Sequence, residues 1–184
     1  MVFTDPPYAL VGNSTGVNGV SDSMMIRPFF RAVMANLKRS LKPMGHAYVC
    51  CDFYTAPAIH ETTDLITKNL IVWQKAEGGG LGSYYTKIYE LIWLFANEPQ
   101  MMITGKKTKA EKALRARLVK LAIENSSDKG EIVLDLFGGS GTTLMAAEEL
   151  GRRCFMMEFN PAFCEKIIAR WESATGRKAE KIAG

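Results

Sequence analysis

Short apolar runs alternate along this chain with longer stretches in which apolar residues recur at helical spacing. An uninterrupted apolar run is typical of a strand buried on both faces of a sheet. Such runs predict strands over residues 1–4, 46–51, 69–74, 89–96, 132–137 and 153–157. Helical spacing predicts helices over residues 23–41, 53–68, 109–125, 144–150 and 160–175. This alternation indicates an α/β fold with a doubly wound, mostly parallel sheet, and the pair at 69–74 and 89–96 predicts an antiparallel hairpin at one end.

Composition narrows the class of protein without identifying it. The chain has 184 residues, 47% of them hydrophobic and 23% charged, which is typical of one soluble domain. No apolar run approaches the roughly 20 residues of a membrane span, and no signal peptide is visible, so we expect a cytoplasmic protein. Four cysteines without a C-x-x-C pair and only two histidines predict reduced thiols and no metal site.

A glycine-rich turn follows the predicted strand at 132–137. Its glycines allow a ligand to approach the backbone closely. The backbone amides at the start of the next helix, together with the hydroxyls of Ser140 and Thr142, can bind a carboxylate or phosphate. Glu158 follows Asp135 by 158 − 135 = 23 residues, a spacing suited to an acid that binds ribose hydroxyls. The residues of this predicted cofactor site are Asp135, Phe137, Gly138, Gly139, Ser140, Gly141, Thr142, Glu158 and Asn160.

The glycine spacing differs from the G-x-G-x-x-G of dinucleotide-binding proteins. Asp135, directly before the turn, suits a cationic group such as the α-amino group of a methionine moiety, whereas a pyrophosphate would be repelled. We therefore expect S-adenosylmethionine as the cofactor in preference to NAD.

The first strand runs into the tetrapeptide Asp5, Pro6, Pro7 and Tyr8. Proline has no N–H for a sheet ladder, so the strand must end there. In an open α/β sheet the carboxyl ends of the strands are where ligands bind. The tetrapeptide could bind a ligand or could be a turn with only a structural role, and its sequence alone does not distinguish these two interpretations.

Together, the tetrapeptide at 5–8 and the segment 135–142 resemble the motifs of the DNA amino-methyltransferases, which methylate adenine N6 or cytosine N4. The catalytic motif precedes the cofactor motif, as in the circularly permuted β-group of that family, and the resemblance covers nearly the whole chain. It implies that Asp5 and the Pro6 carbonyl accept the amine hydrogens of a flipped base, and that Tyr8 stacks on its ring. Aspartate at position 5 favours adenine, since the cytosine enzymes more often carry serine there.

The resemblance also divides the chain, which we expect to be one methyltransferase domain. Residues 1–96 would be the catalytic half, 109–184 the cofactor half, and 97–108 a short loop in place of a target-recognition insert. We expect DNA as partner, with no membrane association, and either a homodimer or a separate recognition subunit. A group of basic residues has two interpretations: it contacts DNA phosphates, or it forms a solvated helix face. These residues are Lys106, Lys107, Lys109 and Arg115.

Three alternatives stay open. The acceptor could be cytosine N4 or an adenine in RNA. The chain begins inside the catalytic strand and has little room for an insert, so it could also be a cofactor-binding subunit that is inactive without a partner.

The polar loop over residues 9–22 is a candidate lid or an ordinary surface loop. The glycine-rich loop over 76–83 lacks the lysine of a phosphate-binding loop.

Overall fold

The computed structural model describes residues 1–8, 23–74, 89–98 and 115–182, which form a six-stranded sheet with helices on both faces. The strands are β1 (Val2–Thr4), β2 (His46–Cys51), β3 (Ile66–Gln74), β4 (Tyr89–Ala96), β5 (Ile132–Asp135) and β6 (Arg153–Met156). The helices are α1 (Ser23–Ser40), α2 (Ala56–Glu61), α3 (Arg115–Ser126), α4 (Thr142–Glu149) and α5 (Pro161–Thr175).

The strand order is β3-β4-β2-β1-β5-β6, with the short β1 in the middle of the sheet. Parallel pairing joins β1 to β2 through Thr4 and Val49, and joins β1 to β5 through Val2 and Leu134. β5 and β6 are also parallel, while β4 is antiparallel to both β2 and β3. The predicted α/β class and the antiparallel hairpin are therefore confirmed.

Alternating side chains of the sheet supply two apolar cores, one on each face. On one face Val2, Val49 and Phe95 pack with residues of α1 and α2. On the other face Phe3 and Ile92 pack with residues of α3 and α4. The central strands β1 and β2 are buried on both faces, which explains why their sequences are continuous apolar runs.

The helix predicted over residues 53–68 was wrong in extent. The observed α2 ends at Glu61, where Thr62 caps it by donating its N–H to the Ile59 carbonyl and its hydroxyl to the Ala58 carbonyl. The chain then enters β3 at Ile66, three residues earlier than predicted. The spacing of the apolar residues at 65, 66 and 70–72 is compatible with either a helix or a strand, and pairing with β4 selects the strand.

Two other boundaries near the cofactor turn also differ from the prediction. β5 ends at Asp135, because the Phe137 N–H bonds to the Asp135 side chain and leaves the ladder. α4 begins at Thr142, two residues before the predicted start. α5 follows the prediction closely, with Asn160 as its N-cap and Pro161 in its first turn.

Several predictions concern residues outside those that the structure describes. They are the loops over 9–22 and 76–83, most of the loop over 97–108, and the start of the helix predicted at 109. Among the described residues, Cys50 and Cys51 are buried, Cys154 and Cys164 are partly buried, and all four are free thiols. No helix of the described ranges is long and apolar enough to span a bilayer. Those ranges also contain no group of three metal-binding side chains.

Candidate active site

The tetrapeptide at 5–8 lies at the carboxyl end of β1, in the centre of the sheet. β1 is wholly buried, and Pro6 continues that burial, while Asp5 and Tyr8 are partly exposed. The Tyr8 hydroxyl donates a hydrogen bond of 2.7 Å to Asp5 Oδ1. Burial raises the pKa of Tyr8 and the charge of Asp5 raises it further, so the hydroxyl stays protonated and remains a donor. A carboxylate and an aromatic ring are thus fixed together at the edge where strands end.

The glycine-rich turn lies at the same edge, at the end of the neighbouring strand β5. Gly139 and Gly141 adopt φ of 53° and 76°, the left-handed region that favours glycine. The Gly138 N–H donates to the Met157 carbonyl at 2.8 Å, so the turn is held against the residues after β6. A Cβ built on Gly139 would find nothing nearer than the Phe137 carbonyl oxygen at 4.0 Å, so the face at Gly139 is open to a ligand.

Asp135 is the buried carboxylate beneath this turn, with 4% of its surface exposed. Its Oδ1 accepts from the Phe137 N–H at 3.1 Å. Burial raises the pKa of Asp135 to about 6, against the lowering effect of the Thr143 hydroxyl and the Phe137 N–H. Thr4 Oγ1 also faces this carboxylate, at a geometry short of a full hydrogen bond. A cation beside Asp135 would recover the electrostatic free energy that burial costs.

Glu158 faces the turn from the segment after β6. Its Oε2 accepts from the Gly139 N–H at 2.7 Å, and its Oε1 accepts from the Asn160 N–H at 2.8 Å. Asn160 itself caps α5, since its Oδ1 accepts from the Ala162 N–H at 3.0 Å. The carboxylate of Glu158 is therefore held beside the open face of the turn, where it can accept hydrogen bonds from vicinal hydroxyls.

The hydroxyls of Ser140 and Thr142 lie 3.0 Å apart at the N-terminus of α4. The Ser140 carbonyl accepts from Arg170 of α5 at 2.9 Å, a contact that no sequence pattern indicated. A second contact that sequence reasoning missed is the packing of Phe29, in α1, against Phe137 with ring centroids 6.2 Å apart. These contacts attach the turn to helices on both sides.

The two predicted sites share one edge of the sheet. β1 and β5 are adjacent and parallel, and the charge of Asp5 contributes to the raised pKa of Asp135. The structure therefore brings together the two sites that the sequence predicted 130 residues apart, from Asp5 to Asp135. Of the predicted DNA contacts, Lys106, Lys107 and Lys109 lie outside the described residues. Arg115 is the first residue of α3, and its side chain is not described.

Known proteins resemble this chain along its whole length. A family model described as DNA methylase matches residues 1–117 and 106–170. The DNA adenine methyltransferase YhdJ of Escherichia coli (strain K12) is 26% identical, and the match covers 100% of this chain and 79% of that protein.

Solved structures share the fold at low sequence identity. The putative DNA modification methylase TTHA0409 of Thermus thermophilus, complexed with S-adenosyl-L-methionine, superposes with a TM-score of 0.70 at 20% identity. That match covers 94% of this chain and 86% of the other. The PvuII DNA methyltransferase, which is cytosine-N4-specific, gives 0.69 at 17% identity, over 92% of this chain and 78% of the other.

The resemblance predicted from the motifs is thus confirmed. Because the family model spans residues 1 to 170 and the sheet carries both motifs at one edge, this chain belongs to the DNA methylase family.

Proposed function

We propose that this protein transfers a methyl group from S-adenosylmethionine to the exocyclic N6 amine of adenine in DNA. One observation carries the proposal. Asp5, Pro6, Pro7 and Tyr8 end β1, and the glycine turn that would hold the methyl donor ends the adjacent parallel strand β5. The acceptor and donor sites are therefore neighbours at one edge of the sheet.

An amine conjugated with an aromatic ring is a poor nucleophile. Acceptors that hold both of its N–H groups draw the lone pair out of conjugation and orient it towards the reacting methyl group. In this site the carboxylate of Asp5 and the carbonyl of Pro6 are proposed as those two acceptors. The fixed φ of Pro6 and Pro7 limits the directions in which the Pro6 carbonyl can point.

Tyr8 is proposed to stack on the flipped base. Enzymes that modify a base take it out of the duplex and bind it between aromatic or apolar side chains. In this structure the Tyr8 hydroxyl occupies Asp5 Oδ1 at 2.7 Å. A carboxylate has about four lone-pair sites, so Asp5 can accept from the amine once Tyr8 has turned its ring towards the base.

The residues around the glycine turn fit the methyl donor. S-adenosylmethionine supplies an electrophilic methyl group on a sulfonium, together with a charged amino acid end. Asp135 would hold the cationic amino group, since a buried carboxylate with a raised pKa gains most from a positive neighbour. Glu158 would accept from the ribose hydroxyls, and Phe137 with Gly138 to Thr142 would line the face on which the cofactor lies.

Adenine is preferred over cytosine on two grounds. Position 5 is aspartate, where the resemblance leads us to expect serine in most cytosine-N4 enzymes. The relative matched over the whole chain is named as an adenine methyltransferase. The similarity of fold to a cytosine-N4-specific enzyme makes cytosine N4 the second candidate.

Analysis of the product tests the proposal. Unmethylated duplex DNA is incubated with the purified chain and methyl-labelled cofactor and then digested to nucleosides, with single-stranded DNA and RNA as parallel acceptors. We expect label in N6-methyladenine from DNA. Label in N4-methylcytosine would transfer the assignment to the second candidate, and label only in RNA would overturn DNA as the substrate.

The subunit alternative is separated by a binding measurement. A chain that binds S-adenosylhomocysteine tightly in a calorimetric titration, yet labels none of the acceptors, would act only with a partner. Label transferred by the isolated chain excludes that alternative.

A further inference from the structure

Two exposed aromatic side chains follow β2 directly. Phe53 and Tyr54, the aromatic pair, are 62% and 51% exposed. Their rings meet edge to face, with centroids 5.6 Å apart and an interplanar angle of 78°. The two rings together form a small exposed aromatic surface, of a kind that can stack against a flat, apolar group.

The backbone beneath the aromatic pair is firmly held. Asp52 Oδ1 accepts from the Thr55 N–H at 2.7 Å, and the Asp52 carbonyl accepts from the Ala56 N–H at 3.0 Å. The Ala56 carbonyl in turn accepts from Trp93 Nε1 at 3.0 Å. The turn is therefore anchored to α2 and β4, and the two rings project from a fixed platform.

This platform lies beside the acceptor site. β1 and β2 are parallel neighbours in register, with Thr4 opposite Val49, and adjacent strands are about 4.8 Å apart. Both strands end at the same edge, β1 in Asp5 and β2 in the turn of the aromatic pair. The charge of Asp5 reaches Cys51, the last residue of β2, where it adds to the rise in the pKa of that thiol caused mainly by burial.

We propose that the aromatic pair stacks against a nucleobase of the substrate next to the flipped adenine, and so is a positioning surface for DNA. This inference rests on the proposed function. The pair and Asp5 follow neighbouring parallel strands at one edge of the sheet, so DNA that delivers a base to Asp5 would approach the pair. Every nucleobase has a π-face, so stacking on Phe53 or Tyr54 is independent of sequence. When the adenine leaves the helix, the base next to it loses a stacking neighbour, and a ring of the aromatic pair would replace that neighbour.

The first test removes the rings. In the Phe53→Ala, Tyr54→Ala double variant, we expect affinity for duplex DNA to fall about tenfold or more at fixed salt, the size measured for loss of base stacking. Affinity for S-adenosylhomocysteine and kcat at saturating DNA should stay within about twofold, because the proposed stacking partner is neither the cofactor nor the acceptor base. The Phe53→Tyr, Tyr54→Phe double variant keeps both rings and should bind DNA as the wild type does.

A matched control comes from β6, the outermost strand on the side of the sheet away from β2. Phe155 in β6 is 54% exposed and belongs to neither proposed site. The Phe155→Ala variant should leave affinity for DNA unchanged. A loss equal to that of the alanine double variant would show that any exposed ring matters, and would overturn the proposal.

The second test identifies what the rings contact. Duplexes carrying an abasic site at successive positions beside the target adenine are titrated against the wild type and the alanine double variant. We expect one position at which the missing base weakens wild-type binding but leaves the variant unaffected. Losses at every position that are equal in the wild type and the variant would overturn base stacking by the pair.

Failure of the proposed function is distinguishable from failure of this inference. If the wild type binds DNA with the expected ring dependence but labels cytosine or RNA, the stacking surface stands and the acceptor assignment falls. If the wild type labels adenine in DNA while the alanine double variant binds DNA equally well, the stacking surface falls alone. A wild type that binds no nucleic acid overturns both.

Discussion

The Tyr8 hydroxyl donates to Asp5 Oδ1 across 2.7 Å, within the tetrapeptide that ends the central strand. The hydroxyl therefore occupies one of the acceptor positions that the proposed reaction needs. Since the pKa of Tyr8 is raised by burial and by the charge of Asp5, titration of the tyrosine does not release this contact. A binding base must displace it or share the carboxylate.

This contact gives opposite expectations for two substitutions of one residue. Tyr8→Phe keeps the ring and removes the hydroxyl that donates to Asp5 Oδ1, so kcat and the KM for DNA should both stay within about threefold of the wild type. Tyr8→Ala removes the stacking face and should raise the KM for DNA about tenfold or more. Steady-state kinetics with labelled cofactor measure both. A large loss in the phenylalanine variant would show that the hydroxyl itself acts in catalysis.

The raised pKa of Asp135 makes the stability of the fold depend on pH. Its pKa in the folded chain is about 6, above the ordinary value of 3.8, so between these values the folded state holds a proton that the unfolded state has lost. The free energy of unfolding therefore falls as pH rises from about 4 to 6, by about 3 kcal/mol at most, and then levels off. Above pH 6 the charged carboxylate destabilises the cofactor-free fold.

Asp135→Asn should consequently stabilise the cofactor-free protein at pH 8 by about 1–2 kcal/mol, because the amide keeps an acceptor for the Phe137 N–H without a buried charge. Thermal denaturation measures this as a rise in Tm of several degrees, and the fall in stability between pH 4 and 6 should shrink. Asp128→Asn, at an exposed acid, is the control and should change neither quantity. A less stable Asp135→Asn variant at pH 8 contradicts the expectation.

The same carboxylate should set the pH dependence of cofactor binding. Affinity for S-adenosylhomocysteine should fall as pH drops through about 6, since protonated Asp135 no longer attracts the amino group. In Asp135→Asn the affinity at pH 8 should fall about tenfold or more, the size expected for the loss of a charged hydrogen bond, and it should vary little with pH. Isothermal titration at several pH values tests this, and an unchanged pH profile in the variant would exclude the role.

Gly139 and Gly141 should respond differently to alanine. Both have positive φ, which costs an L-residue about 1–2 kcal/mol. A Cβ at Gly141 would also meet Ile167 Cγ2 at 3.1 Å, whereas one at Gly139 enters open space. Gly141→Ala should therefore lower the free energy of unfolding more than Gly139→Ala, by about 1 kcal/mol. Urea denaturation compares them, and equal losses would show that Ile167 yields freely.

Sequence patterns were sufficient for the features whose causes are local. Continuous apolar runs indicated the strands, Pro6 ended β1, and Asn160 with Pro161 began α5 as expected. They failed at the end of α2, where apolar spacing suits helix and strand alike and tertiary pairing with β4 decides. The bond from Gly139 to Glu158 and the parallel pairing of β1 with β2 depend on how distant strands align, so no short segment encodes them.

Asp5→Ala tests the central claim most directly, with methyl transfer to DNA and affinity for S-adenosylhomocysteine measured on the same preparation. We predict that kcat falls at least about 100-fold, as when a transition-state contact is removed, while cofactor affinity stays within about twofold. Methyl transfer at the wild-type rate would contradict the account, and so would a loss of transfer explained by an equal loss of cofactor binding.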